Sequence, residues 1–103
     1  MQVVRISLGR FDAGSYDDIE RLLREGGERL IPEIRKLAGC LHYYAAINRE
    51  AKTIVNVSVW DSLEPAKQMG TLKAMLDEGA LMRSKGVQFD PIVSYESAWT
   101  ITG

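Results

Sequence analysis

Asn56, Ser58 and Trp60 alternate with Val55, Val57 and Val59 in one short run of the chain. Successive side chains on a strand point to opposite faces. One face of this run is therefore plain β-branched surface, and the other carries an amide, a hydroxyl and an indole. A sheet with one face in water would place charges there. An amide and an indole without charges predict the wall of a half-polar cavity. Within such a cavity an amide donates to oxygen atoms that gain negative charge, and an indole offers a flat wall for a ring. His42 is the single histidine of the chain. Its ordinary pKa lies near neutrality, which makes it the candidate to accept a phenolic proton.

Each of these residues also has a plainer reading. Asn56 could bond a neighbouring backbone group, although mid-strand Asn is disfavoured. Trp60 could serve core or dimer packing, and His42 could be a hydrogen-bonded filler. Met69, Met75 and Met82 read as core or as flexible pocket wall.

Other chemistries find no residues. With one His and one Cys, no zinc site can be assembled. Gly26-Gly27 lies inside a helical pattern and makes no phosphate loop. No nucleophile elbow or carboxylate pair appears. The 13 basic and 14 acidic residues are interspersed, for a net charge of −1, which argues against nucleic acid as a partner. No run approaches the ~20 apolar residues of a membrane span, and Arg5 interrupts an N-terminal stretch too short for a signal peptide. The lone Cys40 reads as a small core hydrophobe. A cytoplasmic location is expected.

The elements that must position these residues follow from periodicity. Val3 to Arg10 reads as a strand. Ser15 followed by Asp18 reads as a helix start. Ile19, Leu22, Leu23, Leu30, Ile34 and Leu37 form a helical stripe, with a kink expected at Pro32 and a stop at Gly39. Cys40 to Asn48 and Thr53 to Trp60 form a hairpin. Ser62 is placed to cap a second helical region that breaks near Gly70-Thr71 and resumes to about Lys85. Ile92 to Ile101 reads as the last strand. The order is βαββαβ, a ferredoxin-like α+β domain over residues 1–103. Two helices cover one face of a four-stranded sheet, so the other face is expected to be an interaction surface closed by a homodimer.

A hairpin loop of Arg49, Glu50 and Ala51 would set Tyr44 opposite Asn56, His42 opposite Ser58 and Cys40 opposite Trp60. Leu41, Tyr43, Ala45 and Ile47 would then join Val55, Val57 and Val59 against the helices. A two-residue loop would put Tyr43 in the cavity instead. With Val4, Ile6 and Leu8 also turned to the helices, Arg5 and Ser7 face the cavity.

Gly39-Cys40-Leu41, Asn56-Val-Ser-Val-Trp60-Asp61-Ser62, Ala66, and Gly86-Val-Gln-Phe89-Asp-Pro-Ile92 together resemble the antibiotic biosynthesis monooxygenase domain. The resemblance covers nearly the whole chain. It implies a dimeric α+β barrel with a pocket between the sheet and the second helix of each protomer. It implies oxidation of an aromatic or quinol-like small molecule by O₂, with no metal or flavin cofactor. Asn56 and Trp60 match the family's Asn and Trp at the end of the third strand. With His42 they are the catalytic candidates, and Tyr44, Ser58, Ser7 and Arg5 are the substrate-binding ones. The haem-degrading branch of the same superfamily takes its ligand from a His in the second helix. Leu63 to Lys85 contains none. Ala66 stands where the ring oxidases tend to carry a larger polar residue. The alternatives are a non-catalytic binding or stress-response module on the same barrel, and an isomerase or decarboxylase with His42 as base.

Overall fold

A computed structural model describes all residues, 1–103. Strand β1 (Val3–Arg10) leads through a 3₁₀ turn at Ala13–Ser15 into helix α1 (Tyr16–Arg35). Strands β2 (Cys40–Asn48) and β3 (Thr53–Trp60) form the hairpin. Helix α2 (Leu63–Ala66), a 3₁₀ turn at Lys67–Gly70 and helix α3 (Lys73–Ser84) follow, then β4 (Gln88–Phe89) and β5 (Val93–Glu96). The sheet order is β2-β3-β1-β4, and β5 also pairs with β1. All pairings are antiparallel. This is the ferredoxin-like α+β arrangement, and no helix is long and apolar enough to cross a membrane.

The expected single last strand is two short ones. β4 pairs with Gly9 and Arg10, and β5 with Val3 to Ile6. Asp90-Pro91 separates them, because proline lacks the N–H that a continuous ladder needs. Trp99 and Ile101 lie outside any strand. Helix α1 runs without a break through Gly26-Gly27 and Pro32. Ser15 precedes it but makes no side-chain cap. The helix ends at Arg35, four residues before the expected stop. Gly39 instead turns the chain into β2 at φ +80°, where a Cβ would meet Asp61 Oδ1 and Pro65 Cβ at 2.8 Å. The break expected near Gly70-Thr71 is the 3₁₀ turn between α2 and α3.

The largest correction concerns which face the helices cover. Val3, Ile54, Ser58 and Trp60 are buried. Ile54 packs with Phe11, Ile19, Leu22, Met82 and Val87. Trp60 packs with Val3, Ile34, Ala66 and Met69. The helices therefore lie on the face of Asn56, Ser58 and Trp60. Val4, Ile6, Leu8, Val55, Val57 and Val59 point to the uncovered side. The alternation matches expectation, but apolarity alone does not tell which face the helices cover: the β-branched face is the outer one.

Candidate functional site

The hairpin register decides which aromatic residue enters the site. Asn48 pairs with Thr53, Ala45 with Asn56, and Tyr43 with Ser58. The turn is thus Arg49 to Lys52, one residue longer than expected. Asn48 Oδ1 accepts the Ala51 N–H at 2.9 Å, and Lys52 adopts φ +56°. Such side-chain turns and left-handed residues carry weak sequence signals outside Gly and Asn. A bulge between Cys40 and His42 restores Cys40 to its place opposite Trp60. Tyr43 consequently points to the helix side. His42 and Tyr44 lie on the opposite, uncovered face, stacked with ring centroids 6.3 Å apart. Tyr44 is 58% exposed. Neither lines the cavity.

On the helix side, cross-strand neighbours form rows, since directly opposed side chains share a face. Cys40, Trp60 and Val3 make one row. Tyr43, Ser58 and Arg5 make the next, and Ala45, Asn56 and Ser7 the third. Ile47, Ile54 and Gly9 close the series. Two rows with polar side chains thus lie between largely apolar ones. Gly9 leaves room for Phe89 and Val87, which a Cβ would meet at 2.8 Å.

Over these rows opens a cavity of about 380 Å³. Arg5, Ser7, Tyr43 and Asn56 form its polar floor, and Leu23, Leu30, Met69, Met75 and Met82 supply apolar wall. Ser58 and Trp60 are not on its surface. They are 2% and 0% exposed, and the Trp60 Nε1–H donates to Ser58 Oγ at 2.8 Å. The indole is a packed support at one end of the cavity floor. The sequence reading missed Tyr43 as a preferred wall residue, as well as Glu78 and Arg83 on α3.

Electrostatics sharpen the picture. Glu78 and Asp90 line the cavity, but each carboxylate is engaged. Arg29 forks onto Glu78, with Nη2 to Oε2 at 3.2 Å, tying α1 to α3. This pair packs against Gly26, whose missing Cβ would lie 2.9 Å from Glu78 Oε2. Arg10 holds Asp90 at 2.7 Å. Arg5 forms none of the ion pairs of the chain. Burial pushes its guanidinium below the ordinary value, which proximity to Tyr43 partly opposes. The Tyr43 hydroxyl is buried without a hydrogen-bond partner. Burial also pushes its pKa up, with Arg5 pulling the other way. Tyr43 is thus a neutral donor at physiological pH. Burial raises the Cys40 thiol as well, which makes it a poor nucleophile.

The Tyr43 shift has a measurable consequence. Subtracting the ultraviolet titration of Tyr43→Phe from that of the wild type should leave a phenolate transition above the ~10 of a free tyrosine. The folded-state pKa is raised above the unfolded one. The associated stability is therefore complete below about pH 10 and falls as pH climbs from there toward the folded value. A difference spectrum centred at the free-tyrosine value would show that water reaches the hydroxyl.

No family model matches the chain, and no curated protein matches it. Solved structures do. The chain is similar to a candidate antibiotic biosynthesis monooxygenase from Deinococcus radiodurans, at 18% identity and TM-score 0.71, covering 99% of this chain and 97% of that one. A second such candidate, from Chloroflexus aurantiacus, is 23% identical with TM-score 0.65, covering 99% and 98%. SnoaB, a cofactor-independent oxygenase from Streptomyces nogalater, is 10% identical with TM-score 0.68, again covering 99% and 98%. At these identities the likeness is one of fold, along the full length of each chain.

Proposed function

We propose that this chain is a single-domain, cofactor-independent monooxygenase of the antibiotic biosynthesis monooxygenase type, oxidising an aromatic or quinol-like small molecule with O₂. The observation that carries the reading is Asn56. Its amide lines a largely apolar cavity directly across from Ser7. The likeness to SnoaB, named a cofactor-independent oxygenase, supports the same assignment.

The chemistry asks little of the protein. An ionised phenol or enol is electron-rich enough to pass an electron to O₂. One oxygen atom is then retained on the ring carbon and the other leaves as water. Negative charge develops on oxygen during these steps, and a preorganised amide donor stabilises it best in a site with little water. Asn56 is the donor, with Ser7 beside it. Arg5 and Tyr43 orient the substrate from the neighbouring row, and Ser58 and Trp60 hold the floor. His42 drops out as the base because it faces away from the cavity, so the substrate must arrive acidic or be made so by the cationic floor. The test is oxygen uptake against a panel of hydroquinones and anthrones, in chelator and without added cofactor. Uptake with at least one member is expected. With His42 turned away and both cavity carboxylates held by arginines, a second reading is also favoured, a non-catalytic binding module, and tight ring binding with no uptake across the panel would select it.

The reading includes a homodimer. Val4, Ile6, Val57, Val59, Tyr44 and Tyr95 lie on the sheet face that no helix covers, and Tyr44 and Tyr95 are more than half exposed. An apolar patch this continuous is rarely left in water. Light scattering should return about twice the 11.5 kDa chain mass. A clean monomer at micromolar concentration would refute the barrel.

A further inference from the structure

The cavity contains more donors and positive charge than the chain itself satisfies. Its two carboxylates, on Glu78 and Asp90, are bound to Arg29 and Arg10. Its two guanidinium groups, on Arg5 and Arg83, take part in no ion pair or side-chain hydrogen bond of the chain. Arg83 lies exposed and stacks over Phe89 at 6.0 Å. Arg5 is drawn inward on β1. Tyr43 adds a buried hydroxyl with no acceptor.

Arg5 and Tyr43 are also neighbours. Both pair with Ser58, from opposite sides of β3, in one cross-strand row. Their heads rise from the same floor into the same cavity, and each perturbs the other's titration. A buried donor left unpaired is costly, and an uncompensated, half-buried cation adds to that cost. A chain that carries both on the two strands flanking β3, lining one cavity, holds a place for what completes them. The complement must bring negative charge, and enough acceptor lone pairs for a planar guanidinium fork and one O–H. A carboxylate does both, because its two oxygens accept the fork side by side and leave lone pairs for the hydroxyl. The remaining wall of leucines and methionines suits a flat apolar body, and about 380 Å³ admits a small fused-ring ligand.

We propose that the ligand of this cavity is an aromatic acid, whose carboxylate is held by Arg5 and Tyr43 while its rings lie between the polar floor and the methionines of the helix layer. This rests on the oxygenase reading only for the location of the ligand, and it is tested by binding, without turnover.

Calorimetric titration of the intact protein with 2-naphthoate and with 2-naphthamide isolates the charge, since the rings are the same. The acid should bind at least tenfold more tightly. Arg5→Met should abolish that preference and leave the amide's affinity within about twofold. The variant should melt no lower than the wild type, because it removes an unpaired cation. Tyr43→Phe should cost the acid severalfold and the amide little. Equal affinity of acid and amide, a preference that survives Arg5→Met, or failure of both probes to bind would each overturn the proposal. Oxygen uptake by the wild type would still stand in any of those cases. Conversely, a preference lost in Arg5→Met, in a protein that consumes no oxygen, would uphold the acid site and discard the oxygenase.

Discussion

Asn56→Ala should cut the rate of substrate-dependent oxygen uptake about a hundredfold while leaving the fold intact. The magnitude comes from removing one preorganised donor aimed at developing charge, on the order of 3 kcal/mol. The expectation of an intact fold comes from the side chain's place. Asn56 is half-buried on the cavity floor and forms none of the side-chain hydrogen bonds that tie elements together. Alanine there loses no partner and adds no bulk, and β3 keeps its backbone ladder to both neighbours. The loss should fall on kcat, with KM little changed, if the amide acts on charge that appears only after binding. Asn56→Asp should be at least as damaging, because a carboxylate repels the same charge. Full turnover in Asn56→Ala, in a variant that folds and dimerises, would make this amide a structural residue and remove the principal support for the oxygenase reading.

Much of what surrounds Asn56 was legible before any coordinates. The boundaries of β1, β2 and β3 follow from period-two runs, and the interruption at Gly70-Thr71 from a loss of helical spacing. The family resemblance rests on short motifs, and solved structures named as antibiotic biosynthesis monooxygenases share the fold along nearly the whole chain. What could not be read was sidedness. On β3, the helix-facing residues Ile54, Asn56, Ser58 and Trp60 are more polar than the outward-facing Val55, Val57 and Val59. Polarity inverts when a half-polar cavity sits between the sheet and the helices. The hairpin was off by one residue for a similar reason. Lys52 in a left-handed conformation and the bulge at Cys40 to His42 have no compositional signature; the longer turn exchanges Tyr44 for Tyr43 in the site, and the bulge returns Cys40 to its place opposite Trp60. Arg5 and Ser7 reach the cavity because the two sidedness errors on β1 and in the position of the cavity cancel. His42 does not reach it.

That inversion also changes the meaning of Trp60. Fully buried among Val3, Ile34, Ala66 and Met69, the indole joins the sheet to α1 and to α2 with the 3₁₀ turn that follows it. Its Nε1–H is satisfied by Ser58 Oγ, the middle member of the row that carries Arg5 and Tyr43. Trp60→Ala should therefore cost about 3–5 kcal/mol of stability, the usual range for emptying a large aromatic site. For a domain of this size that lowers Tm by roughly 4–8 °C per kcal/mol, and it removes a large part of a typical total of about 5–15 kcal/mol. Trp60→Phe separates packing from polarity. It keeps most of the apolar contact, leaves Ser58 Oγ without its donor, and should cost about 1–3 kcal/mol. Assayed below its melting temperature, Trp60→Phe should keep KM within a few fold of the wild type, since the ring it replaces does not face the cavity. The decisive comparison is therefore between two readouts on one protein. A Tm that falls while KM holds identifies Trp60 as the support on which the floor of the site is built. A KM that rises steeply while Tm holds would mean that the indole meets the substrate, and that the floor opens further in the working enzyme than in the free one.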